Sequence, residues 1–264
     1  MTDMNKIGII GGKGFVGRAM QKLFPDALLF GRDAKQEDID SCDAIFVSVP
    51  TDLKEIGQVL DTSIVEDVVS KCNCPLIIIR STLNPGTCDY LEEKYKKNIV
   101  MMPEYVGETI AHPLLEESKR PFLIIGGKDR NRRKAIELLH TVYNANVTIR
   151  QVSNYQAEVI KLMENRAIAF KQMQCQEAFD ILEKAKKLGK EVDYYETIQA
   201  VYGDDPRFNL WFTAVYPDKR GFNNSKCLRK DVPAFAMWAE SMGVTPDLTW
   251  ALIRKSNDYE TYGE

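Results

Sequence analysis

The sequence predicts an α/β protein, a doubly wound parallel sheet over residues 1–150 followed by an all-α region, residues 151–264, built on one long helix. Three observations predict it. Apolar runs of strand length alternate with helical patterns in the first half, as parallel βαβ units require. A glycine-rich turn separates the first apolar run from the first helical pattern. From Ser153 a helical pattern then continues unbroken to Leu188. A length of 264 residues suits two domains at roughly 100–200 residues each.

The elements follow in order. Lys6–Ile10 is a short apolar strand ending in glycines, and Val16–Phe24 is a helix stopped by Pro25. Ala27–Phe30 is the second strand. Ala44–Val49, Leu76–Ile79, Ile99–Met102 and Phe122–Ile125 are near-continuous apolar runs, as in strands buried on both faces. Ser153 and Gln156 have the spacing of a capping box, and Gly189 suits the stop of the helix between them. That helix would be about 50 Å long, more than a small domain spans. Beyond Gly203 the pattern is irregular to Arg229, and Asp231–Met242 and Pro246–Ser256 read as two further helices.

Composition excludes several classes of function. Apolar residues are 44% and charged residues 28%, which supports a packed core and argues against disorder. The net charge of −3 argues against a nucleic-acid or polybasic membrane partner. No apolar run approaches the roughly 20 residues that span a bilayer. The first residues, Met1 to Lys6, lack the regions of a signal peptide, so a cytoplasmic location is expected. The 6 cysteines are scattered, and the 2 histidines, His112 and His140, lie away from Cys72 and Cys74. Neither a disulfide framework nor a metal site is expected.

Gly12-Lys13-Gly14-Phe15-Val16-Gly17 is GxGxxG between a strand and a helix, the Rossmann-type dinucleotide loop. Its glycines allow a tight turn, close approach of a pyrophosphate and close helix–strand packing, and the helix N-terminus supplies free N–H groups. At the end of the second strand stand Gly31, Arg32 and Asp33. With Gly31 at the ribose-binding position, Arg32 would receive a 2′-phosphate and the cofactor would be NADP. With the strand extended, Asp33 would hold the 2′-hydroxyl and the cofactor would be NAD. Local chemistry favours NADP slightly, and both stay open.

Five further segments carry polar chemistry. Ser48-Val49-Pro50-Thr51, Arg80-Ser81-Thr82-Leu83-Asn84-Pro85-Gly86-Thr87 and Met102-Pro103-Glu104-Tyr105-Val106-Gly107-Glu108 each follow a strand, where open α/β sheets bind ligands. Ala157-Glu158-x-x-Lys161-x-x-x-Asn165 places Lys161 and Asn165 on one helix face. Gly221-Phe222-Asn223-Asn224-Ser225-Lys226-Cys227-Leu228-Arg229-Lys230-Asp231 is the last.

Together these segments resemble the UDP-glucose/GDP-mannose 6-dehydrogenase family. Its motifs are a GxGYVG loop, a VPTP turn, an STVPxGT segment, an NPEFLREG segment, an AExxKxxxN helix and a GGSCFPKD loop, and each has a counterpart here in the same order. The resemblance implies a four-electron oxidation of a sugar primary alcohol to a carboxylate with a nicotinamide cofactor. It makes Cys227 the nucleophile of a thioester intermediate, with Lys226 and Lys230 as nearby cations. Lys161 and Asn165 would face the reacting oxygen, Asp231 would hold a water or Lys161, Glu104 would be the base for thioester hydrolysis and Thr82 would position that water. Val49, Pro50, Thr51, Ser81, Thr82, Glu108 and Lys230 would line the cofactor. Glu104, Tyr105, Val106, Glu108, Lys161, Asn165 and Arg207 would line a nucleotide-sugar substrate, Arg207 across a dimer. A homodimer through the long helix 153–188 is expected.

Departures from the family pattern are also plain. Asn223 and Asn224 replace two catalytic-loop glycines, Lys226 is an added residue, and Arg229 replaces proline. Only 232–264 follow Asp231, so a short form without the family's C-terminal nucleotide-binding domain is expected. Two other readings stay open. One is a two-electron β-hydroxyacid dehydrogenase, which has the same helix Lys and Asn but no use for Cys227. The other is a dinucleotide-binding module without turnover.

Overall fold

The computed structural model describes residues 6–55, 57–107 and 112–261. They form two compact units, one of residues 6–55 and 59–161 and one of residues 57–58 and 162–261.

The first unit is a seven-stranded sheet: β1 (Ile7–Ile10), β2 (Leu28–Phe30), β3 (Ala44–Val47), β4 (Ile77–Ile79), β5 (Ile99–Met101), β6 (Phe122–Gly127) and β7 (Thr148–Val152), in the order β2-β1-β3-β4-β5-β6-β7. Alternate residues of the central strands enter opposite cores. Ile10, Val47, Ile77, Ile79, Ile99 and Met101 pack with Val65 and Val69 of α3 (Ser63–Lys71) and Cys88 and Leu91 of α4 (Thr87–Tyr95). Ile9, Phe46, Ile78, Val100 and Met102 pack on the other face with Met20 and Leu23 of α1 (Phe15–Leu23) and Leu138 and Leu139 of α5 (Asp129–Leu139). A short α2 (Gln36–Asp40) precedes β3. Both faces are thus covered, as the apolar runs required.

Two strands, β6 and β7, run against the other five and depart from an all-parallel sheet. β6 runs antiparallel to β5, through Val100↔Gly127 and Met101↔Gly126, and β7 pairs parallel with β6. Among the described residues, the 102–121 connection holds only the 3₁₀ turn Glu117–Lys119 and no crossover helix to return the chain in parallel. β7 escapes an apolar-run reading because it is a half-exposed edge strand, Thr148-Ile149-Arg150-Gln151-Val152.

The long helix is α6 (Asn154–Lys187), and Ser153 accepts the Gln156 N–H through Oγ at 3.1 Å, the N-cap half of the capping box. The units divide within this helix, between Lys161 and Leu162, because its first turns belong to the sheet's core through Ala157 and Ile160. Glu158 on the same turns is fully buried and accepts the N–H groups of Gly86 (2.6 Å) and Cys88 (2.8 Å). It thereby closes the N-terminus of α4, whose cap residue Gly86 has φ +96°.

The second unit packs Ala169 and Met173 of α6 with Leu228, Val232 and Ala236 of α8 (Leu228–Ser241) and Leu252 and Ile253 of α9 (Asp247–Thr261). The stretch before α8 is less irregular than the sequence suggested. It holds α7 (Tyr194–Ile198), capped by the Asp193 side chain, and a π-helical turn Gln199–Asp204. α8 begins three residues before Asp231 because Ser225 Oγ accepts the Leu228 N–H at 3.2 Å.

Burial pushes the Glu158 carboxyl up to about 7 against its two backbone donors. A raised carboxyl binds its proton more tightly in the folded chain, so its contribution to stability is full below about pH 4.5 and is lost as pH rises through about 7. Glu158→Gln is expected to flatten that slope in denaturant titrations between pH 4.5 and 7. An unchanged slope would assign the pH dependence elsewhere.

Candidate active site

The glycine loop follows β1, where the strand order reverses between β1 and β3. Its tight geometry comes from contacts that leave no room for a Cβ. Gly11 has φ +82° and its α-carbon faces the Ser48 carbonyl after β3. A Cβ on Gly17 would collide with the Gly11 carbonyl and lie 2.6 Å from the Gly12 α-carbon. Gly14 caps α1 without a side-chain hydrogen bond, and the first turn of α1 contains no acidic residue. The helix therefore keeps N–H groups and positive dipole for an anion. Lys13 and Phe15 are exposed beside them. These residues fit a dinucleotide, and Gly11 belongs to the cradle although it precedes the motif.

Gly31, Arg32 and Asp33 lie exposed past β2, where Gly31 O accepts the Ala34 N–H at 3.3 Å. The Asp33 carboxylate turns back toward Gly31. The loops after β3 and β4 are tied reciprocally. Ser81 Oγ donates to Val49 O and Thr51 Oγ1 donates to Thr82 O, both at 2.7 Å. Thr51 and Ser81 therefore cross-link the two loops. Pro50 stays exposed and Thr82 half-buried.

Behind these loops lies a charged cluster wholly within the first unit. Arg80, with a side chain 0% exposed, reaches Glu117 Oε1 at 2.9 Å through Nη1 and Glu104 Oε2 at 3.3 Å through Nη2. Glu117 Oε1 also accepts Arg120 Nη1 at 2.8 Å and the Tyr143 hydroxyl at 2.5 Å. Tyr105 is buried, with the Arg120 guanidinium 4.7 Å and Lys161 Nζ 4.8 Å from its ring centroid. Lys161 is thus buried rather than solvent-facing, and Val106 is buried beside this group in sequence. Burial raises the Glu104 carboxyl, against Arg80 and Lys161. Burial also acts to raise Glu117, but Arg80 and Arg120 outweigh it and hold that carboxyl at about 2.

The second unit brings another set together. Asp231 is fully buried, accepting Asn165 Nδ2 on Oδ2 at 2.5 Å and Lys230 Nζ on Oδ1 at 2.8 Å. Cys227 is the N-cap residue of α8, and its carbonyl accepts the Asp231 N–H at 2.9 Å. It is exposed, whereas Cys42, Cys72, Cys74, Cys88 and Cys175 are buried, and none of the six is in a disulfide. Asn223 Nδ2 donates to Asn257 Oδ1 at 2.9 Å, and the positive φ of the loop, +71°, falls on Gly221. Arg207 is exposed and its guanidinium is paired with Asp205 at 2.6 Å. Glu108 lies outside the described residues. Among the described residues there is no group of three or more His, Cys, Asp or Glu suited to a metal. Nor is any helix among them long and apolar enough to cross a membrane.

Sequence reasoning passed over Arg80, Glu117, Arg120 and Tyr143 as a unit, and over the role of Glu158. Arg80 stands inside a quoted segment, and a charged residue directly after a buried strand was the available signal.

Seven strands, a glycine cradle at the reversal point and a helical second unit define a dinucleotide-binding dehydrogenase architecture. The chain matches the model of the UDP-glucose/GDP-mannose dehydrogenase family, NAD binding domain, over residues 16–147, and it belongs to that family. It is 29% identical over 252 residues to a UDP-glucose 6-dehydrogenase of Rickettsia typhi, covering 90% of this chain and 54% of the relative. The chain spans about half the length of the relatives it matches. Among solved structures, a UDP-glucose dehydrogenase of Pyrobaculum islandicum aligns with TM-score 0.75 and 22% identity over 97% of this chain and 68% of that one. A UDP-D-ManNAc dehydrogenase of Pyrococcus horikoshii aligns with TM-score 0.77 and 18% identity over 98% and 69%.

Gly17→Ala is expected to weaken NADH binding by about 1–3 kcal/mol, roughly ten- to hundredfold, because the added methyl meets backbone that cannot move aside. Fluorescence titration of NADH measures it, and equal affinity would disprove the cradle.

Proposed function

We propose that the chain is a nucleotide-sugar 6-dehydrogenase, oxidising a sugar primary alcohol to a carboxylate through a thioester on Cys227. The observation that carries this reading is the exposed Cys227 at the N-cap of α8, three residues before Lys230 of the hydrogen-bonded Asp231–Asn165–Lys230 set. Membership of the family supports it.

The overall change from RCH2OH to a carboxylate releases two hydrides, and a bound nicotinamide supplies the acceptor for each. We take the cofactor to be NAD, because the matched domain is described as NAD binding. Gly12, Gly14 and Gly17 would carry the pyrophosphate, Asp33 the ribose hydroxyl, and Val49, Thr51 and Ser81 the wall beside it. Arg32 would carry a 2′-phosphate only if NADP were used.

The protein's own groups would then act as follows. The Cys227 sulfur adds to the aldehyde carbon, and the α8 N-terminus favours the negative charge of its thiolate. Lys161 and Asn165 stabilise the oxyanion that forms on the carbonyl oxygen. Asp231 fixes the Asn165 amide in place, and Lys230 pairs the Asp231 charge. At the thioester stage Glu104 takes a proton from water beside Thr82, the water oxygen bonds to carbon, and the sulfur leaves as Cys227 thiolate. Tyr105 and Val106 shape the floor of the sugar site. Arg207, freed from Asp205, would reach a partner's substrate in a homodimer formed along α6, which exposes Met163 and Ile181.

The deciding experiment supplies a panel of UDP- and GDP-sugars and hydroxyacids with NAD or NADP and counts reduced cofactor per substrate consumed. Two per substrate are expected, with Cys227→Ser lowering acid formation on the order of 10³-fold or more. One per substrate, indifferent to that change, would make the chain a two-electron hydroxyacid dehydrogenase. Binding without turnover would make it a dinucleotide-binding module. Light scattering is expected to give the mass of a dimer, and a monomer would remove Arg207 from the site.

A further inference from the structure

The cluster behind Glu104 contains more charge than an architectural ion pair needs. Arg80 extends two guanidinium nitrogens toward two different carboxylates, and the contacts are unequal, 2.9 Å to Glu117 and 3.3 Å to Glu104. Glu117 has the stronger claim because its Oε1 is held by Arg120 and Tyr143 as well, three donors on one oxygen. Its Oε2 has no hydrogen-bond partner among the described residues, so the pull on Arg80 comes from one fixed side. Glu104, by contrast, has a side chain 15% exposed where that of Glu117 is 1% exposed. One acid is locked and sealed, while the other has one long contact and keeps a small exposed surface.

We propose that Glu117 is a positioning residue for Glu104: by binding Arg80 more closely than Glu104 does, it leaves Glu104 one long contact and a carboxyl able to exchange a proton. This rests on the reading of Glu104 as the base of thioester hydrolysis, and it adds the residue that tunes that base. The groups facing Glu104 are Arg80 after β4, Glu117 and Arg120 from the 3₁₀ turn, and Lys161 from α6. Three are cations. Without Glu117, their charge would fall on Glu104 alone and hold it as a carboxylate with no tendency to accept a proton. The direction of the Glu104 shift, upward under burial despite Arg80 and Lys161, agrees with this arrangement.

The test uses the whole chain with ¹³C-labelled glutamate carboxyls, the Glu104 signal being assigned by its loss in Glu104→Gln. Glu117→Gln keeps the size of the side chain and removes its charge. Arg80 then turns to Glu104, whose titration is expected to move down by about one pH unit. The acidic limb of the pH–rate profile for acid release is expected to move with it. Arg80→Lys carries a single ammonium that cannot serve both acids and is expected to follow Glu117, moving Glu104 upward. Opposite shifts in the two variants are not the result of general loosening, which would move both the same way. If Glu117→Gln fails to fold, Arg80→Lys decides alone. A Glu104 titration that stays put, or moves the same way in both variants, overturns the proposal. Shifts as expected in a chain that does not oxidise any nucleotide sugar would support the link between Glu117 and Glu104 and remove the assigned reaction. Turnover with unmoved titration would do the reverse.

Discussion

A guanidinium with no exposed side-chain surface is the constraint around which the first unit is organised. Arg80 follows β4 directly, so its charge enters the interior wherever the sheet ends. A buried cation must be paired or it destabilises the fold by several kcal/mol, roughly 3–5 when one partner is removed. The partners are Glu104 and Glu117, at the two ends of the connection from β5 to β6, so one side chain ties that connection to the one after β4. The antiparallel return of β6 is part of the same arrangement. It brings the segment with Glu117 and Arg120 back toward the C-terminal end of β5, which a crossover helix in the same place would not do.

The second unit solves a similar problem with a carboxylate. Asp231 has no exposed surface, and both of its oxygens are occupied, one by the Asn165 amide and one by the Lys230 ammonium. Lys230 is therefore paired with its neighbour in the chain. The loop before α8 has exchanged close glycine packing for side-chain hydrogen bonds. Asn223 bonds Asn257, the Phe222 N–H bonds Ser256 Oγ at 2.9 Å, and Gly221 holds the one left-handed position there. Asn223 thus has a side-chain bond where the family has a glycine.

What was legible in the sequence was whatever repeats locally. The strands β1 to β5 announced themselves as unbroken apolar runs, and the tight turn after β1 as glycines between a strand and a helix. What was not legible depends on partners far away in the chain. Glu116-Glu117-Ser118-Lys119-Arg120 reads as a solvated charged turn, yet Glu117 and Arg120 are among the most buried polar residues. Glu117 pairs with Arg80, 37 residues earlier, and Arg120 pairs with Glu117. β7 was hidden because an edge strand needs only one apolar face, and the direction of β6 because an apolar run does not state its polarity. Glu158 looked like a spacer in a helix motif until Gly86 and Cys88, more than two strands away in sequence, supplied its donors.

Glu158 and Lys161 are both set by α6, the first closing α4 and the second lying over Tyr105. An α-helix turns about 100° per residue, so inserting or deleting one residue between them would swing one of the two away from its partner. The opening turns of α6 therefore act as a ruler with a fixed angular scale. Substitutions on their outer side are tolerable in principle, but a change of length is not, and variation in chain length within such proteins should collect in the loops and spare this short span.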